Sequence, residues 1–179
     1  MTEVGTVYGR ALYDLANSEG LTDVILQQLD VLRQSFDKEP DFLRLLGCPN
    51  VSKQEKCDLL TDSFQQAVHP YVLNFLKILT EKSYARHFSD CCDAYVSCYN
   101  ADHNILPVTA VTAVALTAAQ SDKLREKLCA LTGKTISLSN RVDTRVLGGV
   151  RLDYDGKQLD DTVAHRLASI RTMLNSTVL

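Results

Sequence analysis

Apolar residues in the first half of the chain recur every three to four positions, which is the period of an α-helix. The first such run extends from Val4 to Ala16, and Gly20 closes it. Its apolar positions form a wide face, made of Val4, Val7, Tyr8, Ala11, Leu12, Leu15 and Ala16. Because a single neighbouring helix covers a narrower stripe, a face of this width predicts contacts with two partners.

Several further helices are predicted before the middle of the chain. The second stops near Glu39, because Pro40 disfavours a helical residue before it. Ser52 and Glu55 form a capping box that starts a helix, and Pro70 fits the first turn of the next one. The apolar faces, in chain order, are Ile25, Leu29, Leu32 and Phe36; a short helix over 41–46; Leu59, Leu60 and Phe64; Val72, Phe75, Leu76 and Leu79; and, over 84–99, Phe88, Cys92, Tyr95 and Tyr99. This pattern predicts a bundle of five to six helices.

The pattern changes after the polar, turn-rich segment 100–104, where we place a domain boundary. Strands are predicted over 105–116, 135–142, 146–154 and 158–160, with a hairpin at Asp155-Gly156. A capping box at Thr117 and Gln120 starts a helix that Gly133 ends, and Val163, Leu167, Ile170 and Leu174 form the stripe of a closing helix. The predicted fold is α+β, with a helical bundle over residues 1–104 and a small α/β domain over residues 105–179.

Composition narrows the functional classes. Hydrophobic content is 45% and charged content 23% of 179 residues, which is ordinary for a globular protein. The longest apolar stretch has 12 residues, whereas a membrane span needs about 20, so no direct span is expected. The six cysteines contain no Cys-x-x-Cys, and no secretory segment opens the chain, which favours reduced thiols.

Charge divides unevenly between the two predicted domains. Residues 1–104 hold 9 Lys/Arg and 15 Asp/Glu, a net of −6, while residues 105–179 hold 10 and 7, a net of +3. The basic half lacks a clustered Arg/Lys stripe with interleaved aromatic residues, so nucleic acid is not an expected partner. The split indicates two domains with different partners.

Little in the sequence indicates catalysis. Gly148-Gly149 is not followed by the Lys-Ser/Thr of a phosphate loop, so the pair is interpreted as a backbone bend. Asp153 and Asp155 lack the remaining ligands of a calcium loop. No cofactor and no metal are therefore expected.

One chemical alternative remains open. His87 and Cys91 stand four residues apart on a predicted helix, with Cys92 and Cys98 beyond, and such a set can form a zinc or thiol site. Cys91 and Cys92 point about 100° apart on a helix, so buried thiols are favoured. The broad apolar faces favour an interaction protein, either a subunit of a complex or a free-standing helical adaptor.

Four segments carry a family resemblance. They are YGRALYDLA at 8–16, PNVSKQEK at 49–56, NFLKIL at 74–79, and DTRVLGGV at 143–150, the last followed by Asp160 and Arg166-Leu167. Together they resemble the delta subunit of F-type ATP synthases, whose mitochondrial relative is the oligomycin-sensitivity-conferring protein. Asp143, Gly148, Gly149 and Asp160 belong to the C-terminal signature of that family, which is its most specific part.

The resemblance implies a non-catalytic stator subunit. Such a subunit links the catalytic head to the peripheral stalk, so that rotation is coupled to proton-driven ATP synthesis. The resemblance also implies one copy within a hetero-oligomeric complex, located peripherally on the cytoplasmic face of the bacterial cell membrane. Residues 105–179 would hold the b subunits of the stalk.

The resemblance further implies a binding groove between the first and fifth helices of residues 1–104. The N-terminal segment of an alpha subunit would occupy it, in contact with Tyr8, Ala11, Leu12, Asn74 and Ile78. Ordinary core packing is the alternative interpretation for each of these five side chains.

Overall fold

The computed structural model describes residues 2–48, 50–146 and 148–160. Their contacts divide the chain into two compact units, one ending at Tyr99 and one beginning at Asn100. The first unit is helical and the second contains a small sheet, so the predicted α+β fold is confirmed.

Six α-helices build the first unit. They are α1 (Glu3–Ser18), α2 (Thr22–Lys38), α3 (Pro40–Gly47), α4 (Lys53–Phe64), α5 (Pro70–Glu81) and α6 (Phe88–Asp102). The Ser52 hydroxyl accepts from the Glu55 N–H while the Glu55 carboxylate accepts from the Ser52 N–H, which confirms the predicted capping box. Pro70 occupies the first turn of α5 as predicted.

The core of this unit comes from the helix faces that the period predicted. Ile25, Leu29, Leu32 and Phe36 of α2 and Val72, Phe75, Leu76 and Leu79 of α5 are all buried. A charged side chain is buried with them: the Lys56 ammonium donates to the carbonyl of Cys48 at 2.5 Å, just beyond the end of α3. That bond satisfies a carbonyl left free where the helix ends.

The last helix of the bundle differs from its prediction. The expected span was 84–99, but residues Ala85–His87 form a 3₁₀ turn, and α6 runs from Phe88 to Asp102. Ser83 has a positive φ of 61°, which breaks the helical path after α5. At its other end, α6 continues to Asp102 and so enters the polar segment 100–104, which was expected to be a loop.

The second unit has a four-stranded mixed sheet. Its elements are β1 (Ile105–Thr112), α7 (Ala118–Thr132), β2 (Thr135–Val142), β3 (Val150–Tyr154) and β4 (Lys157–Asp160). The strand order is β2-β1-β3-β4, with β1 and β2 parallel and the other pairs antiparallel. Val108, Ala110, Ile136 and Leu152 form the buried cluster, against which Leu124 and Leu128 of α7 pack.

Two predicted strands were too long. β1 ends at Thr112 because its hydroxyl turns to donate to the Val114 carbonyl at 2.7 Å. β3 begins at Val150 rather than at 146, since Gly148 and Gly149 directly before it lie in a bend. The closing helix predicted around Val163 to Leu174 lies outside the described residues.

Candidate docking interface

Helix α1 packs on one face only. Its buried residues are Gly5, Gly9, Leu12, Tyr13 and Ala16, which recur at helical spacing. Leu12 is 5% exposed and Tyr13 meets Tyr95 edge to face, with 5.3 Å between the ring centroids. The predicted contact residue Leu12 therefore lies in the core, as its core-packing interpretation describes.

Gly5 and Gly9 explain why this face of α1 is the one that packs against α6. A Cβ atom at Gly9 would collide with the Cys91 carbonyl oxygen and would lie 2.7 Å from the Ala94 Cβ, both on α6. A Cβ atom at Gly5 would lie 2.9 Å from the backbone carbonyl carbon of Asp90. The two helices thus approach at a distance that only glycine permits at these positions.

Another side of α1 is also apolar, and it remains largely exposed in the described structure. Val7 is 60% exposed, Leu15 is 40% exposed and Ala11 is exposed, while Val4 and Tyr8 are half-buried. At about 100° per residue these five side chains share one sector of the helix, whose centre lies roughly 130° from that of the buried sector. We call these five residues the α1 face.

An aromatic contact connects the α1 face to the end of α5. The rings of Tyr8 and Tyr84 meet edge to face at 5.9 Å between centroids. The Tyr84 N–H donates to the carbonyl of Leu79 in the last turn of α5, at 2.7 Å. Tyr8 is thereby placed beside the carboxyl end of α5.

The predicted residues of α5 lie away from its buried side. Ile78 is 45% exposed and Asn74 is exposed, while Val72 and Leu79 on the other side of the helix are buried. Half-buried Tyr71 shares the sector of Asn74 and Ile78, because the three stand at i, i+3 and i+7. Of the five predicted side chains, four are therefore half-buried or exposed and one, Leu12, is buried.

The sequence reasoning left Val7 and Leu15 out of the predicted site, although they are the most exposed large apolar side chains of α1. The signal that identifies them is the pair Gly5 and Gly9, four residues apart. Small residues at that spacing mark the side of a helix that another backbone approaches. The apolar side chains of the remaining sector are then the ones available to a partner.

The cysteines of α6 do not favour thiol chemistry. Burial raises the pKa of the Cys91 thiol to about 11 and that of the Cys92 thiol to about 12. A nucleophilic or metal-binding cysteine needs its thiolate, which a raised pKa disfavours. In the described ranges, no three His, Cys, Asp or Glu side chains gather as they would around a metal ion.

Two of the four signature residues of the second unit line one cavity of about 670 Å³. Asp143 and Asp160 line it, together with Arg141, Arg145 and Arg151. The charges compensate one another: Arg145 pairs with Asp143 at 3.1 Å, and Arg151 and Arg141 both pair with Asp153, at 3.2 and 3.8 Å.

Asp143 also shapes the chain before the glycine pair. Its carboxylate accepts from the Arg145 side chain and from the Arg145 N–H at 3.0 Å, and these bonds hold the pKa of Asp143 below its usual range. Its carbonyl accepts from the Val146 N–H at 3.0 Å, which closes a turn. Gly149 follows with a φ of +87°, a conformation that favours glycine, so the predicted bend is confirmed.

Among the described residues, no helix is both long enough and apolar enough to cross a bilayer. The arrangement as a whole is that of a two-unit α+β protein whose most prominent feature is an open apolar helix face. The class of protein that this defines is an interaction subunit.

Comparison with known proteins identifies the family within that class. The sequence model described as "ATP synthase delta (OSCP) subunit" matches residues 4–174. The chain therefore belongs to the ATP synthase delta (OSCP) subunit family, as the motifs predicted.

Individual relatives agree. The ATP synthase subunit delta of Alkaliphilus oremlandii is 31% identical over 168 residues, which covers 94% of this chain and 93% of the relative. That of Lactobacillus delbrueckii subsp. bulgaricus is 34% identical over 177 residues, with 96% of each chain covered. A chain in the mitochondrial ATP synthase hexamer of Toxoplasma gondii has the same fold, with a TM-score of 0.78 at 21% identity, covering 97% of this chain and 98% of that one.

Proposed function

We propose that the protein is a non-catalytic stator subunit of an F-type ATP synthase. It links the catalytic head to the peripheral stalk and so prevents the head from turning with the rotor. Family membership supports the complex to which it belongs. The single structural observation that carries the docking role is the exposed α1 face.

The first unit binds the N-terminal segment of an alpha subunit, in this proposal, across the α1 face and the adjacent surface of α5. Val7, Tyr8 and Ala11 supply anchors at i, i+1 and i+4 on α1, and Ile78 with Asn74 supplies the facing contacts on α5. An amphipathic helix placed in such a groove buries its own apolar side chains at i, i+3, i+4 and i+7. Such a contact holds under load without any bond-making chemistry.

The second unit holds the b subunits of the stalk. Its net positive charge, against the net negative charge of the first half of the chain, supports different partners for the two units. Two separate contacts also strengthen each other, because the first one raises the effective concentration for the second. The protein would act in one copy, peripherally, on the cytoplasmic face of a bacterial membrane.

The decisive measurement is calorimetric titration of the full chain with a synthetic peptide of the alpha-subunit N-terminal segment from the same organism. We expect binding at micromolar concentration or tighter. Val7→Asp and Tyr8→Asp should each weaken it at least about tenfold, since a buried unpaired charge costs well over 1.4 kcal/mol.

Val31→Asp is the matched control. Val31 is 62% exposed on α2, against 60% for Val7 on α1, so both substitutions place a charge at an equally accessible valine. Binding that Val31→Asp weakens as much as Val7→Asp would contradict the proposed location. Absence of any binding by the unsubstituted chain would contradict the docking role itself.

Co-purification distinguishes the stator role from that of a free-standing helical adaptor. The protein should copurify with the other subunits of the synthase from membranes of its own organism. A protein found only apart from them would support the adaptor.

A further inference from the structure

The α1 face has a charged border along one edge. Glu3, Arg10 and Asp14 are exposed and lie within about 40° of one another around the helix, on the side of Val7. The other edge is occupied by Tyr8, whose ring meets Tyr84. The charged side chains within α1 itself therefore all lie on one side of the apolar sector.

These three charges are free to interact with a partner. None of them forms an ion pair within the described part of the chain, even though Arg10 and Asp14 stand four residues apart on one helix. Their order along α1 is negative, positive, negative. The intervals are unequal, at seven and four residues, or about 10.5 Å and 6 Å along the helix axis.

We propose that this edge selects, by its charges, the helix that docks on the α1 face. The occupant is an amphipathic helix of another protein, whose own edge carries basic, acidic and basic side chains at the matching intervals. This inference rests on the docking face proposed above and adds its electrostatic specificity.

Electrostatics of this kind act mainly on selectivity. Apolar anchors supply most of the affinity of a helix in a groove, whereas exposed charges at the rim suppress wrong partners and wrong registers. A single exposed pair changes affinity by about two- to fivefold, so a partner with several mismatched pairs is disfavoured by roughly tenfold or more.

Two designed peptides of 16 residues, the length of α1, test the inference. Both carry the same apolar face, and they differ only in the sign of the charges along its edge. The first has Lys, Glu and Lys at positions i, i+7 and i+11. The second has Glu, Lys and Glu at the same positions. At low salt the full chain should bind the first peptide about tenfold more tightly. Salt near 0.5 M should largely remove this difference, because it screens exposed charges over a few ångströms.

The charge-swapped protein R10E/D14K is the reciprocal variant. Its net charge is unchanged and both positions are exposed, so its circular dichroism should match that of the unsubstituted protein. Its preference between the two peptides should be lost or reversed. A preference that stays the same in the swapped protein would overturn the inference.

The outcomes separate this inference from the docking proposal. If both peptides bind equally at low salt and Val7→Asp weakens both, the proposed role of the charged edge is wrong, while docking on the α1 face is still supported. Failure of both peptides to bind overturns the two together. If the protein alone sediments as a dimer that R10E/D14K dissociates, the occupant is a second copy, and the proposed partner is wrong.

Discussion

At the scale of single residues, glycine decides how the first unit is assembled. Gly5 and Gly9 allow the backbones of α1 and α6 to approach, and this contact turns Val7 and Leu15 outward. Sequence reasoning placed Leu12 and Val7 on the same broad face. It could not separate them, because hydrophobicity alone does not show which apolar side a neighbour covers.

Gly9→Ala should destabilise the protein by about 2 kcal/mol. The gain in helix propensity of about 1 kcal/mol is outweighed, because the new Cβ meets the backbone of α6 and the helices must move apart. Chemical denaturation measures the free energy of unfolding. Gly47→Ala at the end of α3 is the control, since nothing lies within 4 Å of its added Cβ; a loss equal to that of Gly9→Ala would refute the steric explanation.

Arg145→Met should raise the pKa of Asp143 towards the usual carboxyl range, because the side-chain bond from Arg145 is the main cause of its lowering. A lowered folded-state pKa stabilises the fold above the unfolded carboxyl pKa, and this contribution is lost as pH falls through the folded pKa. The variant should therefore lose that part of its pH dependence. Carboxyl NMR titration checks the shift, and Arg145→Lys, which keeps the charge, should give a smaller one.

At the scale of secondary-structure elements, capping boxes predicted the starts of their helices better than periodicity predicted the ends of strands. Both capping boxes form, at Ser52 and at Thr117. A capping box involves four consecutive residues, so the local sequence contains all of its determinants. β1 was predicted too long because residues after Thr112 are apolar too, and its end depends on a side-chain bond that periodicity does not show.

Substitutions on the buried side of α1 should affect stability, whereas substitutions on its exposed side should affect binding. Leu12→Ala should lower the free energy of unfolding by about 3 kcal/mol, because it empties a buried site. Val7→Ser should change it by less than about 0.5 kcal/mol, because the side chain is mostly exposed, yet it should weaken binding of the alpha-subunit peptide. Thermal denaturation and calorimetry together check this; a large loss of stability in Val7→Ser would show that the α1 face is covered.

At the scale of the whole molecule, each of the two units has its own buried cluster. The cluster of the first unit includes residues of α1 through α6, from Leu12 to Tyr95. A fragment of residues 1–104 should therefore unfold cooperatively and bind the alpha-subunit peptide within about threefold of the full chain. Calorimetric scanning and titration test this, and a fragment that is unfolded would show that the second unit is needed for folding.

The sequence by itself determined the helical and strand periods, the caps, the α+β class and the motifs of the family, because each depends on neighbouring residues. Gly148-Gly149 could be assigned to a bend for the same reason. Only the tertiary structure decided that the glycine side of α1 is buried and that Val7, Ala11 and Leu15 are left exposed, with Glu3, Arg10 and Asp14 along their edge. That choice depends on how closely α6 approaches α1, and the distance between these two helices is set by residues some eighty positions apart in sequence.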